Sequence, residues 1–336
     1  MNTNFEGPAY DRGRLVNQSN RRVFLHASAS AMVLSMRPQL SCWGREHGSS
    51  ELTTITALTR DVGNKQPLRL GLIVPIGKNP DEAIGKVHEL GLPTVQVFVN
   101  EFEPGLDQRL RQALERYAIE PTALVVGGPG KEIWDFYQGP LTIGLVPRAT
   151  RGARIAQIKQ ASEFAKACGI SAVQTHCGFI PENPNDPLYQ ETIDAAREVA
   201  LYCKRNGQKF RYETGQETPI TLIRAIQDVG LENQAVNFDL ANLILYGKAN
   251  PLDAIELLAP YVEGIHAKDG LWPTNPRELG KEVPIGQGKV DFARIISRLQ
   301  ELNYRGPITI EREISGPQQM EDIREAKAYL ERLIRN

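Results

Sequence analysis

Four residues able to bind a metal recur at one kind of position in this 336-residue chain. Short runs rich in β-branched and aromatic residues end in Tyr212-Glu213, Phe238-Asp239, Ile265-His266 and Ile310-Glu311. Three carboxylates and an imidazole gathered at one buried point would repel each other and lose hydration unless a cation compensated them. Three oxygen donors and one nitrogen suit one divalent ion of intermediate hardness, Mn²⁺ first, with Mg²⁺, Co²⁺ or Zn²⁺ as alternatives. Positions left open on that ion would take substrate oxygens. Glu313 lies two residues beyond Glu311, on the same side of an extended strand, and is the competing ligand. By the same parity Lys268 shares a face with His266 and can reach a substrate, whereas Asp269 points the other way and reads as a loop cap. A fifth run, Val173-Gln174-Thr175-His176, brings in a histidine that reads either as a substrate contact or as a structural group.

These side chains meet only if the fold brings strand ends together. From Leu68 onward, eight β-branched runs alternate with longer amphipathic segments: Leu68 to Pro75, Thr94 to Val99, Thr122 to Val126, Ala172 to His176, Lys209 to Thr214, Ala235 to Leu240, Gly264 to Lys268 and Pro307 to Glu313. Between them the spacing predicts helices over Asp81 to Leu90, Leu106 to Tyr117, Ala153 to Ala167, Leu188 to Asn206, Pro219 to Val229, Leu252 to Leu258 and Phe292 to Leu302. Repeated βα units of this kind build a parallel sheet. An open doubly wound sheet would carry a glycine-rich phosphate loop after its first strand, but the chain reads Val74-Pro75-Ile76-Gly77-Lys78-Asn79 there. A single (β/α)8 barrel over residues 68–336 is the better fit, and in it the C-terminal strand ends converge on one mouth. Gly91, Gly169, Gly207, Gly230 and Gly306 are expected to end helices in the left-handed conformation, and Pro251 to open one.

The first part of the chain has a different character. Asn20-Arg21-Arg22-Val23-Phe24-Leu25, followed by the weakly apolar Ala27 to Met36, reads as a twin-arginine export signal over residues 1–43, with a polar linker over 44–67. The expected location is therefore periplasmic or exported, and cytoplasmic otherwise. Nothing else in the chain is hydrophobic enough to span a bilayer, so stable membrane insertion of the mature protein is not expected. With 39 basic against 40 acidic residues the net charge of -1 offers no electrostatic ground for nucleic acid. Cys42, Cys168, Cys177 and Cys203 lack the short paired spacings of zinc or redox sites and read as free thiols. Oligomeric state leaves no legible pattern.

Several ordered segments carry a family resemblance: Tyr212-Glu213-Thr214, Asn237-Phe238-Asp239-Leu240-Ala241-Asn242, Ile265-His266-Ala267-Lys268-Asp269, the stretch from Pro284 to Phe292, and Gly306 to Glu313. Together they resemble the xylose-isomerase-like TIM barrels, the sugar phosphate isomerase/epimerase group, from about Leu68 to the C-terminus. The resemblance implies that Glu213, Asp239, His266 and Glu311 coordinate one metal ion. It also implies that Glu213 and Glu311 are the catalytic pair, exchanging protons with carbon. The loop Trp134-Asp135-Phe136-Tyr137 and the segment His176 to Asn183 are similar to those of bacterial members and would lie over the mouth, with Trp134 and His176 toward the substrate. Phe136, Tyr137 and Trp272 could likewise stack on sugar faces.

Where many relatives carry a histidine three residues after the aspartate, this chain has Asn242, a candidate substrate contact; the change argues against a three-zinc endonuclease arrangement. Lys281 and Glu282 stand where relatives place an arginine or histidine. Arg277 and Lys281 have no glycine-rich phosphate cradle beside them, so a neutral sugar is at least as well supported as a phosphorylated one. The expected activity is a sugar isomerase or epimerase acting on a small sugar or keto-sugar through an enediolate. A metal-dependent dehydratase or lyase on keto-sugars or inositol derivatives, and a sugar-binding barrel without activity, are the alternatives.

Overall fold

The computed structural model describes residues 68–335, so the expected export signal and linker lie outside the described residues. Seven strands, β1 (Arg69–Pro75), β2 (Thr94–Phe98), β3 (Glu120–Val125), β4 (Ala172–Thr175), β5 (Lys209–Glu213), β6 (Gln234–Asp239) and β7 (Val262–Ala267), run parallel in chain order. A short antiparallel hairpin, β8 (Asp269–Leu271) and β9 (Lys281–Val283), intervenes before the last barrel strand, β10 (Pro307–Ile310). That strand pairs with both β7 and β1 and closes the barrel.

Ten α-helices and a 3-10 turn over Ala259–Tyr261 complete the described chain: α1 (Pro80–Glu89), α2 (Leu106–Tyr117), α3 (Gly139–Thr142), α4 (Arg148–Ala167), α5 (Pro187–Arg205), α6 (Pro219–Val229), α7 (Leu240–Leu245), α8 (Pro251–Leu258), α9 (Phe292–Glu301) and α10 (Pro317–Arg335). Asp186, Thr218 and Asn250 each accept a first-turn amide at the starts of α5, α6 and α8, and each is followed by a proline whose fixed φ suits the first helical position.

The strands are buried on both faces. Val95, Val97, Val173, Phe210, Val236, Phe238, Ile308 and Ile310 belong to the apolar core shared with the helices. Gln96, Gln174, Arg211, Asn237 and Thr309 alternate with them and are also buried. Gln96 Nε2 donates to Asn237 Oδ1 at 3.1 Å, joining β2 to the non-neighbouring β6, so this second set faces the barrel interior. The barrel is thus lined with polar groups below its C-terminal mouth.

Some boundaries differ from the expected ones. β10 ends at Ile310, which leaves Glu311 and Glu313 on the loop beyond it. α4 begins five residues before the predicted Ala153, at Arg148. α7 is buried on all sides and the hairpin strands have three residues each, so neither carries a readable period. Gly91, Gly169, Gly207 and Gly230 take positive φ as expected, but Gly306 does not. Asn303 (φ 54°) makes that turn instead, and Gly306 is needed because a Cβ there would strike the Tyr304 hydroxyl and come within 2.8 Å of the Glu263 carbonyl. Cys168, Cys177 and Cys203 are buried and unpaired. Among the described residues no helix is long and apolar enough to cross a membrane.

Candidate metal centre

Strand register brings the four expected ligands together. Asp239 on β6 lies opposite His266 on β7, and Thr309 of β10 lies on the other side of the same histidine, so the chain leaving β10 delivers Glu311 two residues further on. Glu213 closes β5, on the far side of β6. Each of Glu213, Asp239, His266 and Glu311 offers one donor atom, and these four atoms lie within 4.8 Å of one another. His266 Nδ1 sits 3.0 Å from Glu213 Oε1, 3.1 Å from Glu311 Oε2 and 3.5 Å from Asp239 Oδ2.

The chain's own hydrogen bonds leave this group unsatisfied. His266 Nδ1, Asp239 Oδ2 and Glu311 Oε2 are buried without an aligned partner. Other donor positions in the group are taken. Asp239 Oδ1 accepts the Asn242 amide at 2.7 Å as the N-cap of α7, and Glu213 Oε2 accepts from Gln174 Nε2 at 3.0 Å. His266 Nε2 meets Gln96 Oε1 at 2.7 Å; a carbonyl oxygen only accepts, so Nε2 carries a proton and Nδ1 faces the carboxylates. Orphaned atoms of this kind at one buried point fit a divalent cation held by three oxygens and one nitrogen.

Electrostatics sharpen the picture. Burial pushes the Asp239 carboxyl up to about 7, against the pull of Lys268. Burial also works to raise Glu311, but Lys268 and His266 hold it down at about 2. Glu213, raised by burial, is held well below the usual carboxylate range by His176 and His266. Burial disfavours the charged form of His266, yet the Glu311 and Glu213 carboxylates keep its pKa well above the ordinary imidazole value.

The remaining expected residues surround this centre. His176, lowered by burial but raised to about 9 by Glu213, has Nε2 3.4 Å from Glu213 Oε1 and packs edge-on against Trp134 with ring centroids 5.0 Å apart. Trp134 is 45% exposed, on the loop after β3. Lys268 is buried and turned toward the chain's own acceptors: Glu313 Oε1 at 2.8 Å, Glu311 Oε2 at 3.2 Å and Asn242 Oδ1 at 3.2 Å. Asn242 therefore links Asp239, through its amide, to Lys268, through its side chain. Glu313 stands outside the converging four and is largely exposed. Asp269 does cap a loop, its carboxylate accepting the amides of Gly270, Gly286, Gly288 and Val290 at 2.8–3.0 Å.

Sequence reasoning missed Gln96 and Gln174, which orient the ligands, and Glu217, a buried carboxyl that burial pushes up to about 7. The signal for the two glutamines was their parity: each is a polar residue inside a strand, preceded by a valine, on the face that strand ends turn inward.

Comparison with known proteins places this geometry. The xylose isomerase-like TIM barrel family matches residues 84–333. A crystal structure of a xylose isomerase domain protein from Planctomyces limnophilus is 35% identical, covers 80% of this chain and 98% of its own, and superposes with a TM-score of 0.75. An L-ribulose-5-phosphate 3-epimerase of Escherichia coli O1:K1 / APEC is 28% identical over 256 residues, 71% of this chain and 84% of the relative. The 3-keto-D-glucoside 4-epimerase of E. coli, at 16% identity, shares the fold with a TM-score of 0.59 over 79% of this chain and 99% of its own.

Proposed function

Because this chain belongs to the xylose isomerase-like TIM barrel family, we propose that it is a divalent-metal-dependent sugar isomerase or epimerase that moves a proton at a carbon next to a carbonyl. The observation that carries the reading is the placement of two glutamates at either end of a four-strand arc. Along the barrel the order is β10, β7, β6, β5, with Glu311 and Glu213 at the outer positions and His266 and Asp239 between them. A small sugar lying over this arc meets a carboxylate on each side. The curated relatives that are epimerases support a sugar as substrate.

Glu213, Asp239, His266 and Glu311 would hold the ion, with Mn²⁺ the first choice and Mg²⁺, Co²⁺ or Zn²⁺ as alternatives. A bound divalent ion supplies Lewis acidity toward the carbonyl and neighbouring hydroxyl oxygens and offsets the negative charge of an enediolate. One glutamate takes the carbon-bound proton, and the other, after taking up a proton from solvent, delivers it to carbon, on the opposite face for epimerisation or at the adjacent carbon for isomerisation, while the first gives its proton up to solvent. Both carboxyls are held ionised by their surroundings, Glu213 between two imidazoles and Glu311 beside Lys268, so both are poised to accept. Trp134 and His176 form one wall over the centre and would pack against the sugar, while Asn242 and Lys268 fix the orientation of Asp239 and Glu311.

The test is isotope exchange. The metal-loaded protein is incubated in D₂O with a panel of ketoses and 3-keto-sugars, and deuterium at carbon is followed by NMR. Exchange next to a carbonyl, lowered at least about 100-fold in Glu213→Gln and in Glu311→Gln, is the expected result. No exchange with any substrate or metal would overturn the reading, and loss of water from the substrate would redirect it to a lyase.

A further inference from the structure

The N-terminal end of the barrel, opposite the mouth that holds the metal centre, has a cavity of about 510 Å³. Arg69 and Glu120, the first residues of β1 and β3, line it together with Val262 and Pro307, the first residues of β7 and β10. Its volume is that of a small-molecule pocket, for which roughly 300–1,000 Å³ is usual. Arg211 reaches it from inside the barrel and is only 7% exposed.

The guanidinium of Arg211 is incompletely paired. Nη1 donates to the Thr122 carbonyl at 3.0 Å, and Nε is buried with no hydrogen-bond partner. Nη2 makes an ion pair with Glu263 Oε2 at 3.6 Å, longer than a hydrogen bond, while Glu263 Oε1 is held by Lys209 Nζ at 2.9 Å. The Nε and Nη2 edge of arginine is a planar fork that takes a carboxylate or a phosphate through two parallel hydrogen bonds. In this molecule Nε on that edge has no hydrogen-bond partner, and Nη2 has only the 3.6 Å ion pair with Glu263. Arginine does not escape the cost of burial by losing its proton, so the deficit persists at all ordinary pH values. The neighbouring Arg69 is already paired with Glu120 and does not compete for an incoming anion.

We propose that this cavity is a second ligand site, which binds a small oxyanion, a carboxylate or phosphate group, on the Nε/Nη2 edge of Arg211. The incoming anion displaces the Glu263 carboxylate from its ion pair with Nη2 and leaves it with Lys209. The site does not depend on the function proposed for the opposite mouth. Gly264 and the Asn237 and Gln96 side chains lie between Arg211 and His266, so a ligand here does not touch the metal ligands.

Isothermal titration calorimetry of the full chain with inorganic phosphate and, separately, with acetate tests the site and tells the two chemistries apart. Saturable binding of at least one anion, kept in Asp239→Asn and weakened more than about tenfold in Arg211→Gln, is the expected result. Glu263→Gln removes the competing carboxylate and should tighten binding about threefold, which gives a second readout if Arg211→Gln fails to fold. No binding of either anion at about 10 mM, or binding that survives Arg211→Gln or is indifferent to Glu263→Gln, overturns the proposal.

Discussion

His266 and Gln96 sit on non-neighbouring strands, yet Nε2 of one meets Oε1 of the other at 2.7 Å across the barrel interior. Gln96 is itself fixed, because its Nε2 donates to Asn237 Oδ1. The imidazole therefore cannot turn without breaking a buried chain of three side chains. This is what keeps Nδ1 aimed at Glu213, Asp239 and Glu311.

Replacing Gln96 by Leu should accordingly weaken metal binding by about 10- to 100-fold while leaving the barrel folded. Titration against a competing chelator measures the change. An unaltered affinity would mean that packing alone orients the ring.

Metal uptake should rise with pH. Asp239, pushed up to about 7, and His266, held well above its ordinary value, both bind protons that a cation must displace. Raising the pH removes those protons and favours loading; lowering it restores them and favours release. Calorimetry in buffers of different ionisation enthalpy should show release of more than about one proton per ion near neutral pH. Pairs of measurements showing no proton release would place both groups in their deprotonated forms beforehand.

Lys268 is a buried cation among three carboxylates, so its removal leaves uncompensated charge. Lys268→Met should destabilise the metal-free protein by about 3–5 kcal/mol, and adding a divalent ion should recover part of that loss. Denaturant unfolding with and without metal reads both effects. A lysine serving only as a substrate contact would leave stability unchanged.

Gly288 is held against Asp269 so closely that a Cβ would collide with the carboxylate oxygen that accepts the Val290 amide. Gly288→Ala should lower stability by about 1–3 kcal/mol through this overpacking. Its effect should be smaller in an Asp269→Ala background, where the contact with the carboxylate is gone and only the 2.6 Å approach to the Gly270 amide nitrogen remains, and a double-mutant cycle in thermal unfolding measures the coupling.

The four converging side chains were legible because each follows a run rich in β-branched or aromatic residues, and strand ends in a closed barrel are where residues distant in sequence must meet. Glu213, Asp239, His266 and Glu311 needed only that rule. Gln96 and Gln174 were not read as partners, since their roles depend on which strands face one another across the interior and on side-chain reach. α7 escaped notice for a related reason. Leu240 to Leu245 is apolar on every side, so no period separates an inner face from an outer one. At Gly306 the residue type was informative but its cause was misread, because a turn and a close approach to Tyr304 both demand glycine.

The pairing of β1 with β10 also orders events during synthesis. Arg69 is opposite Pro307, so the edges of the growing sheet stay open until the last strand leaves the ribosome. Glu311 follows that strand by a single residue. The fourth ligand thus arrives with barrel closure itself, and a nascent chain lacking it has only a three-donor site to offer a passing ion.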